Sequence, residues 1–180
     1  MIEQPLMQNV LADLCVESEA HSMLSMYAAS LYDMYYNQKG SERGRELFRV
    51  SVAVSKYYVT KRLPPFTYEC LEALGGNGFV EDFPLARMFR HSPLNAVWEG
   101  SGNVIALDIV VRASQHLGLL LEELHTYKGK DSRLDGLLGY LDTLVAQRVK
   151  GGTEGGDLLE QQRWEQPPWL LCAKLCPSST

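Results

Sequence analysis

Two glycine-rich stretches stand out in the sequence, Leu74-Gly-Gly-Asn-Gly-Phe79 and Trp98-Glu-Gly-Ser-Gly-Asn103. Because glycine has no Cβ atom, such a stretch lets the backbone turn sharply and bring bare N–H groups close to an anion such as a pyrophosphate. A plainer interpretation of the first stretch is a helix C-terminus followed by a tight turn. It is not a dinucleotide fingerprint of the strand-turn-helix type, because a helix is predicted before it.

Upstream of these stretches, apolar residues recur at helical spacing, and no alternating strand pattern rises above noise. We predict a long amphipathic helix from Pro5 to Asn37, a break from there to Gly44, and a second helix from Arg45 to Leu63. Pro64 and Pro65 remove consecutive N–H donors, so we expect a kink or a new helix start before a segment over residues 66–74.

The segment from Gly75 to Trp98 holds prolines and glycines, and we expect an irregular, functional loop there. The almost continuously apolar run from Ser101 to Leu124 then predicts a buried helix, and Arg133 to Val149 predicts a shorter one. We therefore expect one helical domain over residues 1–150, followed by a poorly ordered Gly/Pro-rich tail over residues 151–180.

The overall composition is that of a soluble globular protein, with 46% hydrophobic and 22% charged residues and a formal net charge of -5. A nucleic-acid binder needs a basic face, which this sequence lacks, and no apolar stretch approaches the ~20 residues of a membrane span. Cys172 and Cys176 have no second pair or histidine cluster beside them, so no metal site is predicted.

Glu99 precedes the long apolar run and lies between Trp98 and two glycines. The positive end of a helix favours the charged form of a carboxylate, whereas an indole and a core that exclude water disfavour that form. The plainer interpretation is an acidic residue that only complements the helix dipole.

The order of these residues resembles the C-terminal domain of the acyl-CoA dehydrogenases over about Met1 to Gln115. The motifs that carry the resemblance are Glu72 with the first glycine stretch, Arg90, and the second stretch followed by Val104. The second stretch is most similar to the alkylation-response and long-tailed branches, and Ser18-Glu-Ala20 and Lys56 also match. The resemblance implies an all-α fold, an incomplete four-helix up-and-down bundle whose first helix is missing.

In chemical terms, the resemblance implies α,β-dehydrogenation of an acyl-CoA thioester with FAD as cofactor. Glu99 matches the base that takes the Cα proton while Cβ delivers hydride to flavin N5, and its main-chain N–H matches a donor to the enolate oxygen. Trp98 and Gly100 match substrate-contacting positions. The positions that match contacts to FAD are Glu72, Gly75, Gly76, Gly100, Ser101 and Asn103.

The turn at Gly75 and Gly76 matches one that, in the family, touches the FAD of a neighbouring subunit. A homo-oligomer, dimer or tetramer, is therefore implied, with acyl-CoA as the substrate partner.

Several residues depart from the family pattern. Glu72 stands where many relatives have a glutamine, and an anion close to a pyrophosphate should weaken binding unless it turns away. His91 replaces a common acidic residue, Pro5 a frequent glutamine, and Ala106 an arginine of short-chain relatives. In the family a further helix, an all-helical domain and a β-barrel domain precede the point where Met1 begins.

A bundle that lacks one helix exposes part of its core, which predicts self-association or docking to another chain. A truncated chain, a misjudged gene boundary and an altered terminus all fit this pattern.

Two functions follow from these observations. In the first, the chain is the C-terminal portion of an acyl-CoA dehydrogenase and is inactive by itself. In the second, it is a non-catalytic helical oligomerisation or interaction module derived from the same fold. A DNA-associated role, as in the alkylation-response branch, is least favoured because the chain is acidic. Acyl chain length is open, and so is the compartment, cytoplasm or mitochondrial matrix.

Overall fold

A computed structural model describes residues 2–37 and 41–151, and within these ranges the chain is helical and contains no strand. The all-α prediction is confirmed. Within these ranges the chain divides after Asp108 into two compact units.

The first unit is organised by two long helices, α1 (Pro5–Asn37) and α2 (Glu42–Ala73), which pack along one another. They are antiparallel, because Tyr32 meets Phe48 near the connection while Glu17 accepts two hydrogen bonds from Arg62 near the far end, at 2.7 and 2.8 Å. Apolar residues buried in this unit are Leu31, Leu47, Val50, Ala53, Tyr57, Ala86 and Ile105.

The predicted first helix is confirmed in its bounds, whereas α2 begins three residues before the predicted Arg45. Ser41 explains the earlier start, because its hydroxyl oxygen accepts a hydrogen bond from the Gly44 N–H at 3.2 Å and so caps the helix.

Of the two outcomes expected at Pro64 and Pro65, a kink or a new helix start, the new start is wrong, since α2 runs through both prolines to Ala73. Proline fixes φ at about −65°, which is itself a helical value, but each proline also removes a hydrogen bond and crowds the carbonyl four residues earlier, so the packing of α2 must offset this cost. The Thr67 hydroxyl adds a bond to the carbonyl of Leu63 at 2.9 Å.

Residues 75–98 are mostly helical rather than irregular, which corrects the sequence prediction. They form α3 (Gly76–Phe79), α4 (Pro84–His91) and a 3-10 helix (Ser92–Ala96). Pro84 and Pro93 stand in the first turns of the last two, where the missing N–H has no helical partner to lose. These prolines start helices instead of marking a loop.

The single buried helix predicted over residues 101–124 is also wrong. The chain forms α5 (Gly102–Leu107), a π-helical turn (Asp108–Arg112), a 3-10 turn (Ser114–His116) and α6 (Leu117–His125). The π and 3-10 turns interrupt the 3.6-residue register, so the run is not one continuous helix. The run is not buried throughout either, because Val104 and Leu107 before the π turn and Val111 within it are exposed.

In the second unit, α6 packs against α7 (Ser132–Gly151). His125 and Asp142 link the two helices at 2.9 Å, and Leu138 is only 1% exposed. Asp131 caps α7, and its bonds with Arg133 hold the pKa of the Asp131 carboxyl well below its usual range. The predicted helix over residues 133–149 is confirmed, while the predicted tail lies, apart from Gly151, outside the described residues.

Within residues 2–37 and 41–151, no single helix is both long and apolar enough to cross a membrane. Residues 102–112 and 114–125 together have the length and apolar composition of a membrane span, but core helices of soluble proteins have them too. No group of three His, Cys, Asp or Glu residues in the same two ranges could hold a metal ion. Cys172 and Cys176 lie outside them.

A close contact between α3 and α2 predicts one stability effect. A Cβ atom on Gly78 would lie 2.3 Å from the main-chain oxygen of Leu71, whereas one on Gly76 would meet no atom within 4 Å. Because a backbone atom cannot move aside cheaply, Gly78→Ala should lower the free energy of unfolding by about 1–3 kcal/mol. Gly76→Ala is the matched control. Equal urea-denaturation midpoints for the two variants would contradict this close packing of α3 on α2.

A second effect concerns His21, which lies between the two long helices. Burial lowers the pKa of His21, against an opposing effect of Glu17, 3.6 Å away, and with a smaller lowering effect of Arg62. The rings of Tyr58 and Phe66 meet the imidazole edge-on.

Because the folded-state pKa of His21 lies below its unfolded value, the unfolded chain binds the proton first as the pH falls. The stabilising contribution of neutral His21 is present above about pH 6.5 and is lost below it. The free energy of unfolding should therefore fall more steeply between pH 7.5 and 5 in the wild type than in His21→Leu. Parallel curves would show that His21 does not contribute to the pH dependence.

Candidate active site

The first glycine stretch forms the turn that ends α2. The Gly75 N–H donates to the Glu72 carbonyl at 2.9 Å, and Gly75 has a φ of 59°, as expected of a glycine that ends a helix. A Cβ atom on Gly75 or Gly76 would meet no other atom within 4 Å. The outer side of this turn is therefore open backbone that another molecule can approach closely.

The Glu72 carboxylate turns back along its own helix. The Tyr68 hydroxyl donates to Glu72 Oε1 at 3.0 Å, and this bond raises the pKa of Tyr68. The Tyr68 ring in turn contacts Phe89 of α4, with 5.7 Å between ring centroids. One carboxylate oxygen is thus engaged by a neighbouring side chain.

The second glycine stretch forms a strained turn around Glu99. Glu99 has a φ of 55° and is the one non-glycine residue with a positive φ among residues 2–37 and 41–151; Gly100 follows with a φ of 106°. A left-handed conformation costs an ordinary residue roughly 1–2 kcal/mol, so something must hold Glu99 there.

Lys56 of α2 supplies that restraint. Its ammonium group donates to the main-chain oxygens of Trp98 at 2.6 Å and Gly100 at 2.8 Å, one on each side of Glu99. A hydrogen bond from a charged donor typically contributes about 1.5–3 kcal/mol, so two such bonds outweigh the cost of the left-handed residue.

The turn also lies very close to α2 at Gly102, the first residue of α5. A Cβ atom there would lie 2.3 Å from Lys61 Cε and 3.2 Å from Tyr57 Cε2. A side chain at this position would have to displace the flexible end of Lys61 and crowd the Tyr57 ring, so the glycine contributes to the close approach of the turn to α2.

Glu99 and Trp98 face outward in this chain. Trp98 is 54% exposed, and the Glu99 side chain is exposed as well. The expectation that the indole and the core shut water out from the carboxylate is therefore wrong for the chain by itself. The physical reason is the direction of the turn, whose carbonyls point to α2 while its large side chains are left outside.

The residues selected from the sequence form two groups on α2. Trp98, Glu99, Gly100, Ser101 and Asn103 lie beside the helix near Lys56, whereas Glu72, Gly75 and Gly76 lie at its C-terminal end. The rise of 1.5 Å per residue places Lys56 and Glu72 roughly 24 Å apart along the helix. The two groups are therefore separate contact regions, and one small ligand would not span them.

Sequence reasoning selected Lys56 only by resemblance and gave it no role. It also missed Tyr68, whose hydroxyl engages Glu72, and Tyr57 and Lys61, which lie beneath Gly102. The four-residue spacing of Tyr68 and Glu72 on one helix face is a signal that could have found that pair. No spacing rule connects Lys56 to carbonyls that lie 42 and 44 residues away.

These observations define the class of protein. It is an all-α domain with a carboxylate on a strained turn and an open glycine turn at the end of a helix. The family profile described as "Acyl-CoA dehydrogenase, C-terminal domain" matches residues 1–114. The chain therefore belongs to the acyl-CoA dehydrogenase family, as the resemblance indicated.

Individual relatives support the same family. The chain is 33% identical over 138 residues to the acyl-CoA dehydrogenase-like protein AidB of Escherichia coli (strain K12), a match covering 75% of this chain and 25% of AidB. It is 28% identical over 98 residues to the mitochondrial short/branched chain specific acyl-CoA dehydrogenase of Rattus norvegicus, covering 54% of this chain and 20% of the relative.

A solved structure is similar in fold. The crystal structure of Caenorhabditis elegans ACDH-11 in complex with C11-CoA matches with a TM-score of 0.71 and 26% identity, over 85% of this chain and 28% of that one. The chain thus spans between a fifth and just over a quarter of the length of these three relatives.

The strained turn generates a prediction about residue 99. At an ordinary exposed position, glycine destabilises a protein relative to alanine, but at a positive φ the order reverses, because alanine keeps the steric clash that glycine avoids. Glu99→Gly should therefore unfold at a higher denaturant concentration than Glu99→Ala, with a difference of about 1 kcal/mol. If Glu99→Ala is the more stable variant, the left-handed assignment is wrong.

Proposed function

We propose that the chain is the C-terminal portion of an FAD-dependent acyl-CoA dehydrogenase in which Glu99 removes the Cα proton of the acyl thioester. The observation that carries this proposal is the Glu99 turn, where the residue matching the family base occupies a strained conformation held by two hydrogen bonds from Lys56. Backbone strain of this kind is concentrated at functional sites, because elsewhere it is removed by substitution.

Two observations support contacts to FAD at the two regions. The outer side of Gly75 and Gly76 is open enough for a pyrophosphate to approach the main chain, and the Glu72 carboxylate that would oppose it is engaged by Tyr68. At the other region Ser101 and Asn103 are exposed polar residues beside the Glu99 turn. When bound, FAD would supply the acceptor for the hydride that leaves Cβ.

In the proposed reaction, residues of this chain remove the proton and stabilise the negative charge that develops. The α-proton of a thioester is only weakly acidic, so the base must be held in position while charge develops on the thioester oxygen. In this proposal the Glu99 carboxylate accepts the proton, and its main-chain N–H would donate to that oxygen. Trp98 and Gly100, which flank Glu99, form the adjoining substrate surface.

We also propose that turnover requires more than this chain. A carboxylate is a stronger base towards carbon when water is excluded, and here Glu99 and Trp98 are both exposed. Covering them would be the task of bound acyl-CoA, of FAD and of other protein, including further copies in a homo-oligomer. The chain alone is therefore inactive.

One observation favours the alternative, a non-catalytic interaction module. Helix α1 exposes large apolar side chains along its length, among them Leu6 at 81%, Met23 at 72% and Tyr36 at 71%. Apolar exposure of this extent is typical of a surface that another protein covers. Gel filtration with excess FAD separates the two functions: flavin absorbance that co-elutes with the protein supports the first, and a colourless oligomer supports the second.

The decisive experiment restores the rest of a dehydrogenase. This chain would replace the matching 28% of Caenorhabditis elegans ACDH-11, whose crystal structure contains C11-CoA. The chimera should bind FAD, and the absorbance of its flavin should bleach when C11-CoA is added without oxygen. Glu99→Gln keeps the shape of the side chain but cannot take the proton, so its bleaching rate should fall by at least about 100-fold.

Two controls make the result interpretable. Glu122→Gln removes one carboxylate from α6, outside both contact regions, and should bleach at the rate of the unsubstituted chimera. Thermal unfolding should show that Glu99→Gln is as stable as its parent. If Glu99→Gln bleaches at the parent rate, Glu99 is not the base and the proposal fails.

A further inference from the structure

We infer that Lys56 is a positioning residue for Glu99, in that it fixes the orientation of the peptide group before Glu99 and of the peptide group after Gly100. This inference deepens the proposed function and rests on it. It starts from geometry, because the Lys56 ammonium is the group that meets the Trp98 and Gly100 carbonyls, at 2.6 and 2.8 Å, from the side of α2.

The direction of the carbonyls sets the direction of the amides. A trans peptide group is planar, and its C=O and N–H bonds point in opposite directions. The described chain contains no cis peptide bond. Since the Trp98 carbonyl points to Lys56, the Glu99 N–H points away from α2, and by the same argument the Ser101 N–H does too.

Loss of Lys56 would therefore do more than weaken a contact. With no ammonium between the carbonyls, either peptide group could rotate and present its oxygen where an N–H had been. An oxygen there would repel the negative charge that develops on the thioester oxygen, while Glu99 could leave its left-handed conformation. The same change would displace both the base and the donor.

A lysine suits this task because of its shape. A single ammonium nitrogen carries three hydrogens and can donate to two oxygens at once, whereas the planar fork of an arginine places its donors farther apart. Arg45, an exposed residue earlier in the same helix, is the matched control. Its replacement by methionine removes one positive charge from α2, but the described hydrogen bonds to the Glu99 turn come from Lys56.

The first test uses the 180-residue chain and needs neither FAD nor activity. Carbonyl and amide chemical shifts of residues 98–101 would be measured by NMR in the wild type, Lys56→Met, Lys56→Arg and Arg45→Met. Lys56→Met should shift and broaden these signals while signals from α7 stay unchanged, and Arg45→Met should leave signals 98–101 in place. Unchanged signals in Lys56→Met would overturn the inference. If Lys56→Met does not fold, Lys56→Arg decides by the same criterion.

The second test separates positioning from a merely structural role. In the ACDH-11 chimera, Lys56→Met should lower kcat by about 10–100-fold and leave KM for C11-CoA within about twofold, because misplacement of the base affects the chemical step. Lys56→Arg should recover only part of the loss, and Arg45→Met should match the parent. A parent-like kcat in Lys56→Met would refute a positioning role.

The two proposals fail in different ways. If Glu99→Gln retains activity, the assignment of the base is wrong, while the NMR comparison still decides whether Lys56 holds the turn. If Glu99→Gln is inactive and Lys56→Met is fully active, the base is correct and the positioning role is wrong.

Discussion

The packing of short elements on helix α2 is the constraint on which the site depends. Within residues 2–108, α1 lies along this helix, and α3, α4, the 3-10 helix and α5 each contact it. Helices of four to eight residues, such as α3 and α4, are not stable by themselves in water, so their positions are set by what they pack against. The geometry around Glu99 and around the glycine turn is therefore inherited from a single long helix.

The long helices could be predicted from the sequence, and the short ones could not. Apolar residues recur over many turns in α1 and α7, and this repetition outweighs local exceptions. In the chain between α1 and α7, the start and end of each helix depend on prolines. The sequence shows where the prolines are but not the tertiary packing around them. Pro64 and Pro65 are accommodated inside α2, whereas Pro84 and Pro93 stand in the first turns of helices. Proline can therefore end a helix, be accommodated inside one or stand in its first turn, and tertiary packing decides which of these occurs.

Part of the candidate site could be predicted for a chemical reason. Glycine is needed wherever φ is positive or two main chains approach closely, so the glycines around residues 75 and 100 mark real turns. Exposure of Glu99 could not be predicted in the same way. Trp98 and the apolar run after Ser101 are neighbours of Glu99 in sequence, and a sequence does not show that the turn directs its carbonyls to α2 and its side chains outward.

At the Glu99 turn, stability and the proposed activity would place different demands on one position. A glycine at residue 99 would relieve the strain of a φ of 55°, yet glycine has no side chain that can take a proton. Lys56 reconciles the two demands by adding hydrogen bonds on both sides of the strained residue. These bonds act on the main chain, so they fix the position of the backbone from which the Glu99 side chain extends. They do not shield the carboxylate from water. Position and desolvation of the proposed base are thus separate properties: the first is built into this chain, and the second has to come from whatever covers Trp98.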